Sequence, residues 1–383
     1  MKVPGKPRRI EIDFVRGVAI LMVMMLHFRT PDHSGIWVCD AFKTVMLYVG
    51  GHGVTLFFVL SGFLVGGLLL KEYRDTSEIH AGRFLIRRMF KIWPAFYFLL
   101  LFHVVTRHHP FHSFFWQNFF QVQNYLGSSI AQTWSLGVEE HFYVCMPLLM
   151  AFMAWRKFSP KQMLATFGTI GLISLAWHFT LAWQNPVAYN EIQHYTQFNV
   201  DSLLCGVCLA LFYHMMPNIY AMLSARAWPL ILISIFGLVS TRLPRNHLTH
   251  PIGQTVAYIA SACFLMLVME HSGSLTKTWP FRMVSTIGIY SYGIYLYHSI
   301  MLGTGEKIVA HFAPKPAWFL AMSVQTVGAL IAGFVATRVV EWPFLMWRER
   351  IKGLRDQKAL VAMPNEGEVD PVVELNPSGQ ATV

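Results

Sequence analysis

Apolar stretches approaching the roughly 20 residues that a helix needs to cross a bilayer recur along the whole of this 383-residue sequence. Bounded by charges, Pro or Gly, they fall at 10–28, 45–70, 92–105, 134–155, 163–183, 197–213, 227–241, 252–270, 284–303 and 317–341. The expected fold is therefore all-α, a polytopic transmembrane helix bundle of about ten spans. Only 13% of residues are charged, far below the roughly 25% usual in soluble domains, and no run of soluble character separates the spans. One membrane domain is expected over 1–352. The segment 353–383, with Glu366, Glu368, Asp370 and Glu374 and no periodicity, reads as a disordered cytoplasmic tail.

Orientation follows from the basic residues. With the N-terminus inside, the inner segments hold Lys2, Lys6, Arg8 and Arg9, then the basic stretch from Lys71 to Lys91, and finally the basic segment after Trp347. The outer loops are much poorer, with isolated cations such as Arg29, Lys43 and Arg107. Such asymmetry predicts both termini in the cytoplasm and a multi-pass protein of the inner (plasma) membrane. A cleaved signal peptide is not expected, because Asp13, Arg16 and His27 interrupt or flank the first run and no small-residue cleavage site follows. The net charge of +10 belongs to these topology signals, so no nucleic-acid partner is expected. Five scattered cysteines imply no disulfide framework.

Ionisable side chains inside spans are costly and mark function by default. Arg16 and His27 are eleven residues apart on the first helix, which puts them on one face and roughly 16 Å apart. Asp13 lies near the same face. The topology places His27, Glu139, Glu140, Asp201 and His298 toward the outer ends of four spans. The inner ends gather Arg16, Arg87, Arg88 and Lys91, a cationic layer suited to phosphates presented from the cytoplasm. A donor with a phosphate-rich head and a long arm ending in a reactive carbonyl fits between the layers. An acceptor alcohol needs a general base near neutral pH, and His27 is the candidate. Either Glu139 or Asp13 would orient its imidazole.

These residues sit in strings that resemble the acyltransferase 3 family of integral membrane acyltransferases. The resemblance begins with Ile12-Asp13-Phe14-Val15-Arg16-Gly17 and runs to His27, then continues through Leu56-Phe57-Phe58-Val59-Leu60-Ser61-Gly62-Phe63. Arg87-Arg88-Met89-Phe90-Lys91-Ile92-Trp93-Pro94 is similar to the family's basic cytoplasmic motif, with Lys91 where Arg is more usual. Thr133-Trp134-Ser135-Leu136-Gly137-Val138-Glu139-Glu140-His141-Phe142-Tyr143 is close to its most recognisable string, with His141 where Gln is common. Asp201-Ser202-Leu203-Leu204-Cys205-Gly206, Tyr290 to His298, and Glu341-Trp342-Pro343-Phe344 complete the order; Asn199 stands where Arg is frequent. The resemblance implies an O-acyltransferase that takes an acyl group, in the simplest case acetyl, from cytoplasmic acyl-CoA as co-substrate and passes it to a sugar or glycan hydroxyl. It implies that Arg16 and His27 are essential; no metal is expected. Trp134, Ser135, Glu140, Asp201 and His298 are expected to support the site.

Other readings compete for the same residues. Intramembrane Asp, Glu and His could relay protons in a solute transporter, or the bundle could be a non-catalytic scaffold. Ser61 and Gly62 read as helix-packing residues, as does the Cys205/Cys208 pair. His108, His109 and His112 lack an acidic or cysteine partner and make a weak metal motif. Arg338 and Glu341, three residues apart, are expected to pair.

Overall fold

The computed structural model describes residues 9–28, 36–106, 109–184, 193–240, 249–312 and 318–361, and every regular element among them is helical. Fourteen helices of eight residues or more follow in order: α1 (Ile10–His27), α2 (Trp37–Gly50), α3 (Gly53–Thr76), α4 (Ala81–Thr106), α5 (Trp134–Trp155), α6 (Pro160–Gln184), α7 (Val200–Met215), α8 (Pro217–Ser224), α9 (Ala227–Ser240), α10 (Thr249–His271), α11 (Trp279–Ile289), α12 (Ser291–Phe312), α13 (Trp318–Ala336) and α14 (Trp342–Val361). Short turns at Phe115–Phe119 and Gln123–Leu126 pack between α4 and α5.

Each expected apolar run falls on helical chain, though those at 45–70 and 284–303 are each divided between two helices, and the count of ten spans is not what the helices support. Among the described residues, six stretches are long and apolar enough to cross a bilayer, or seven if α7 and α8, bent by 113°, form one broken span. The shortfall has physical causes. α1 carries Glu11, Asp13 and Arg16 within 18 residues, and α9, at 14 residues, is about 21 Å long against a hydrocarbon core of about 30 Å. The protein is a multi-pass membrane protein all the same. The run expected at 45–70 arrives as two helices, α2 and α3, broken at Gly51 and His52. α14 continues to Val361, nine residues past the expected domain boundary, and the rest of the expected tail lies outside the described residues.

Close approach of helices sets the architecture. A Cβ on Gly62 would overlap the Leu203 carbonyl, and one on Gly206 would overlap the Val59 carbonyl, so α3 and α7 meet backbone to backbone. α1 and α11 meet in the same way through Gly17 and Gly288, with Gly288 against the Asp13 carbonyl. Around these contacts Val15, Ala19, Phe58, Val138 and Leu203 are buried in one core. The result places the first halves of α1, α3 and α5 and the start of α12 around a common space.

Between α13 and α14 the chain makes a π-helical turn over Thr337–Glu341. Such turns insert an extra residue and re-aim the side chains that follow.

Candidate functional site

The common space is a cavity of about 100 Å³. α4 contributes Arg88 and Lys91 to its wall, and α1 contributes Arg16. One face of α3 lines it with Val54, Phe57, Ser61 and Leu64, at helical spacing. α5 adds Ser135, Glu139 and Tyr143; Ser291, Tyr292 and Tyr295 come from α12, and Glu341 from the π-helical turn. Three of the four expected donor-binding cations thus converge. Arg88 lies over the rings of Phe84 and Tyr143, at 5.3 and 5.1 Å, which directs it into the bundle. Arg87 departs from the expectation: it does not line the cavity, its side chain is exposed, and its carbonyl accepts from Arg348. Successive residues on a helix are about 100° apart, so Arg87 and Arg88 cannot both face inward.

Glu139 sits among these cations rather than beside His27. Ser61 Oγ donates to Glu139 Oε1 at 2.9 Å, and Tyr143 OH donates to Oε2 at 2.6 Å. Both carboxylate oxygens are therefore held in place. Ser61, read from sequence as a packing residue, has its hydroxyl on the acidic centre of the cavity. Glu140, one residue on, accepts from Trp93 Nε1 at 3.2 Å and does not line the cavity.

Asp13 pairs with Arg16 at 3.7 Å and is buried. It is fourteen residues from His27, about 21 Å along a helix, which removes it as a direct partner of the imidazole. Arg338 and Glu341, expected to pair, both lie on the π-helical turn. Arg338 donates to Tyr290 OH at 3.1 Å and stacks over Trp342 and Phe334, while Glu341 turns toward the cavity.

His27 lies outside the cavity at the far end of α1. Its Nδ1 is 2.8 Å from the Val23 carbonyl, which can only accept, so in the neutral ring Nδ1 carries the proton and Nε2 the lone pair. The ring meets that of His298 edge-on at 5.0 Å between centroids. His298 is fully buried, donates from Nδ1 to the Tyr295 carbonyl at 2.6 Å, and leaves Nε2 without a hydrogen-bond partner among the described residues. The two expected histidines are therefore one unit.

Trp134 packs edge-on against Phe58 and His194. Ser135 Oγ is hydrogen-bonded to Tyr295 OH, which also donates to the Gln132 carbonyl at 2.7 Å. Burial holds His194, in the segment before α7, below the usual histidine range. Asp201 is buried in the first turn of α7, where Oδ1 accepts from the Ser202 backbone N–H at 2.8 Å; it does not line the cavity. Asn199 ties that turn to Gln193 and Tyr195 through its amide. Of the expected histidine group, His108 lies outside the described residues, and no three His, Cys, Asp or Glu side chains among the described residues are placed to hold a metal ion.

Ser61, Tyr143, Tyr292, Tyr295 and Glu341 are cavity residues that sequence reasoning did not assign. A signal existed for two of them: Ser61 continues the 54–57–61–64 stripe of α3, and Tyr143 follows Glu139 by one turn.

Comparison with known proteins gives a consistent result. A family model described as an acyltransferase domain matches residues 9–345. The chain is similar to the peptidoglycan O-acetyltransferase OatA of Listeria monocytogenes, with 27% identity over 386 residues, covering 92% of this chain and 58% of the relative. It is also similar to the O-acetyltransferase OatA of Staphylococcus aureus, with 24% identity over 317 residues, covering 75% of this chain and 49% of the relative. The chain thus spans about half the length of these curated relatives. No solved structure matches it.

Proposed function

Because this chain belongs to the acyltransferase domain family, whose model covers it from residue 9 to 345, and is an acyltransferase, we propose that it moves an acyl group, in the simplest case acetyl, from acyl-CoA onto a hydroxyl of a carbohydrate acceptor. The relatives named for peptidoglycan O-acetylation support a glycan as the acceptor class. The observation that carries the donor reading is the convergence of Arg16, Arg88 and Lys91 on one cavity, with a histidine pair beyond it. Phosphates of the CoA head bind the cations, Arg by paired N–H donors and Lys as a point charge. Arg16 and His27 are roughly 16 Å apart along α1, a distance an extended pantetheine arm spans.

His27 acts from Nε2, since Nδ1 is held by the Val23 carbonyl. It removes the acceptor hydroxyl proton as the oxygen attacks the thioester carbonyl; the carbon–sulfur bond breaks, and the proton passes from the imidazolium to the departing CoA thiolate. Transfer is direct, without an acyl-enzyme. His298 buttresses the His27 ring. Glu139, fixed by Ser61 and Tyr143, balances and aligns the cations instead of orienting His27. The cationic end faces the cytoplasm in the plasma membrane, with both termini on that side.

The test is CoA thiol release by purified protein in lipid, given acetyl-CoA and a cell-envelope extract. Release by the wild type should depend on the extract and fall by about 10²- to 10⁴-fold in His27→Ala, the usual contribution of a general base. Equal release by the variant would remove His27 from the chemistry.

A further inference from the structure

Arg87 lies outside the donor cavity with its side chain exposed, yet α14 brings a second guanidinium to it. Arg348 Nη1 donates to the Arg87 carbonyl at 3.5 Å, and Trp347 meets Phe90 edge-on at 5.5 Å. Lys91 and Glu341 both line the cavity. From Lys91 to Arg87 is one turn of α4, about 6 Å; from Glu341 to Arg348 is two turns, about 10 Å, on nearly the same helix face. α4 and α14 therefore run antiparallel and leave the cavity wall in the same direction. That direction is away from the histidine pair. Tyr292 OH donates to the Ile92 carbonyl at 2.8 Å and Tyr297 OH to the Ala95 carbonyl at 3.4 Å, so α4 and α12 rise together toward His298, and Arg87 is on the other side of Lys91. Arg83, a further turn out, is engaged with Glu72 at 3.9 Å. The Arg348 fork rests on its neighbour: Nε and Nη2 donate to Glu349 Oε1 at 3.1 and 2.6 Å, and both side chains are partly open to solvent.

We propose that Arg87 and Arg348 form a second anion site, beyond the Arg16–Arg88–Lys91 cavity, that binds the 3′-phosphate on the donor's ribose and so selects CoA thioesters over those lacking that group. The inference rests on the acyl-CoA reading above. Thioester, pantetheine arm, diphosphate and a ribose bearing a 3′-phosphate follow one another along the donor. His27, the cationic cavity and the Arg87–Arg348 pair follow one another along the bundle in the same order. Two guanidiniums suit a terminal phosphate, which offers three oxygens to their planar forks. Glu349 is the internal competitor, holding the Arg348 fork until a phosphate of higher charge displaces it. Arg348 stands past residue 345, where the family match ends, so this selectivity is carried by the chain's own α14. A phospholipid headgroup has the same anionic chemistry; the ribose phosphate is favoured because the pair extends the line of cations already assigned to the donor.

The experiment is thiol release by full-length protein with the envelope extract, comparing acetyl-CoA with acetyl-dephospho-CoA for wild type, Arg87→Gln, Arg348→Gln and Glu349→Gln. Vesicles of phosphatidylcholine alone, and with added phosphatidylglycerol, separate the donor's phosphate from a lipid's. The wild-type KM should be about tenfold higher for acetyl-dephospho-CoA, as loss of a charge-assisted contact predicts. Each arginine variant should shrink that ratio at least about threefold by raising the KM for acetyl-CoA alone, in both kinds of vesicle. Glu349→Gln should widen it by about two- to threefold, the scale of one exposed ion pair. This opposite shift remains informative if an arginine variant folds poorly, which size exclusion reports. Equal KM values for the two donors with the wild type overturn the site. So do arginine variants that raise both KM values alike, or only where phosphatidylglycerol is present. Absence of thiol release from either donor with the wild type instead overturns the donor reading, and the site with it.

Discussion

At the scale of single residues, the cavity is an arrangement of opposite charges kept apart from the candidate base. Arg88 is braced by two aromatic rings and reaches the same space as Arg16 and Lys91. A hydrogen bond to a charged group contributes about 1.5–3 kcal/mol, so Arg88→Ala should raise the KM for acetyl-CoA by about 10- to 100-fold while leaving kcat nearly unchanged. Steady-state kinetics on the purified protein check this; a fall in kcat at constant KM would place Arg88 in the chemistry rather than in donor binding. Lys91 has the weaker geometry for phosphate, because its ammonium is a point charge.

Between elements, the tightest constraint is the α3–α7 seam. Gly62 and Gly206 let two backbones touch, and Ser61, next to Gly62, is carried by that seam to Glu139. Gly206→Leu should therefore cost at least the roughly 1–3 kcal/mol of an overpacked core and lower the apparent Tm in detergent. Thermal unfolding monitored by size exclusion would detect it, and an unchanged Tm would mean the seam is not tight. The π-helical turn is a second element-scale device. It carries Glu341, which lines the cavity, and Arg338, which donates to Tyr290 OH.

For the molecule as a whole, the distribution of basic residues is the basis for proposing which end of the bundle is cytoplasmic. Glu78, in the α3–α4 turn, and Ser129, before α5, are exposed at opposite ends of α4. In a cysteine-free background, Ser129→Cys should react with a membrane-impermeant maleimide in intact cells, and Glu78→Cys only after permeabilisation. The reverse pattern would invert the topology and put the cationic layer outside, away from cytoplasmic acyl-CoA. Span number belongs to the same scale. The shortness of α9 and the charges of α1 leave those helices stabilised by packing in the bundle rather than by apolar length.

The helical class, the placement of the apolar runs and the ordered family strings were legible in residue order alone, because hydrophobic length and local motifs are local properties. So was the grouping of Arg16, Arg88 and Lys91, since charges at one end of antiparallel spans share a depth. The partner of Glu139, the inward turn of Glu341, the exposure of Arg87 and the contact of His27 with His298 were not. Each depends on how one helix is rotated against another, and glycine-mediated approach and a single inserted residue set that rotation. Residue order fixes depth along a helix to within a turn; only packing in three dimensions decides which side chains at that depth face one another.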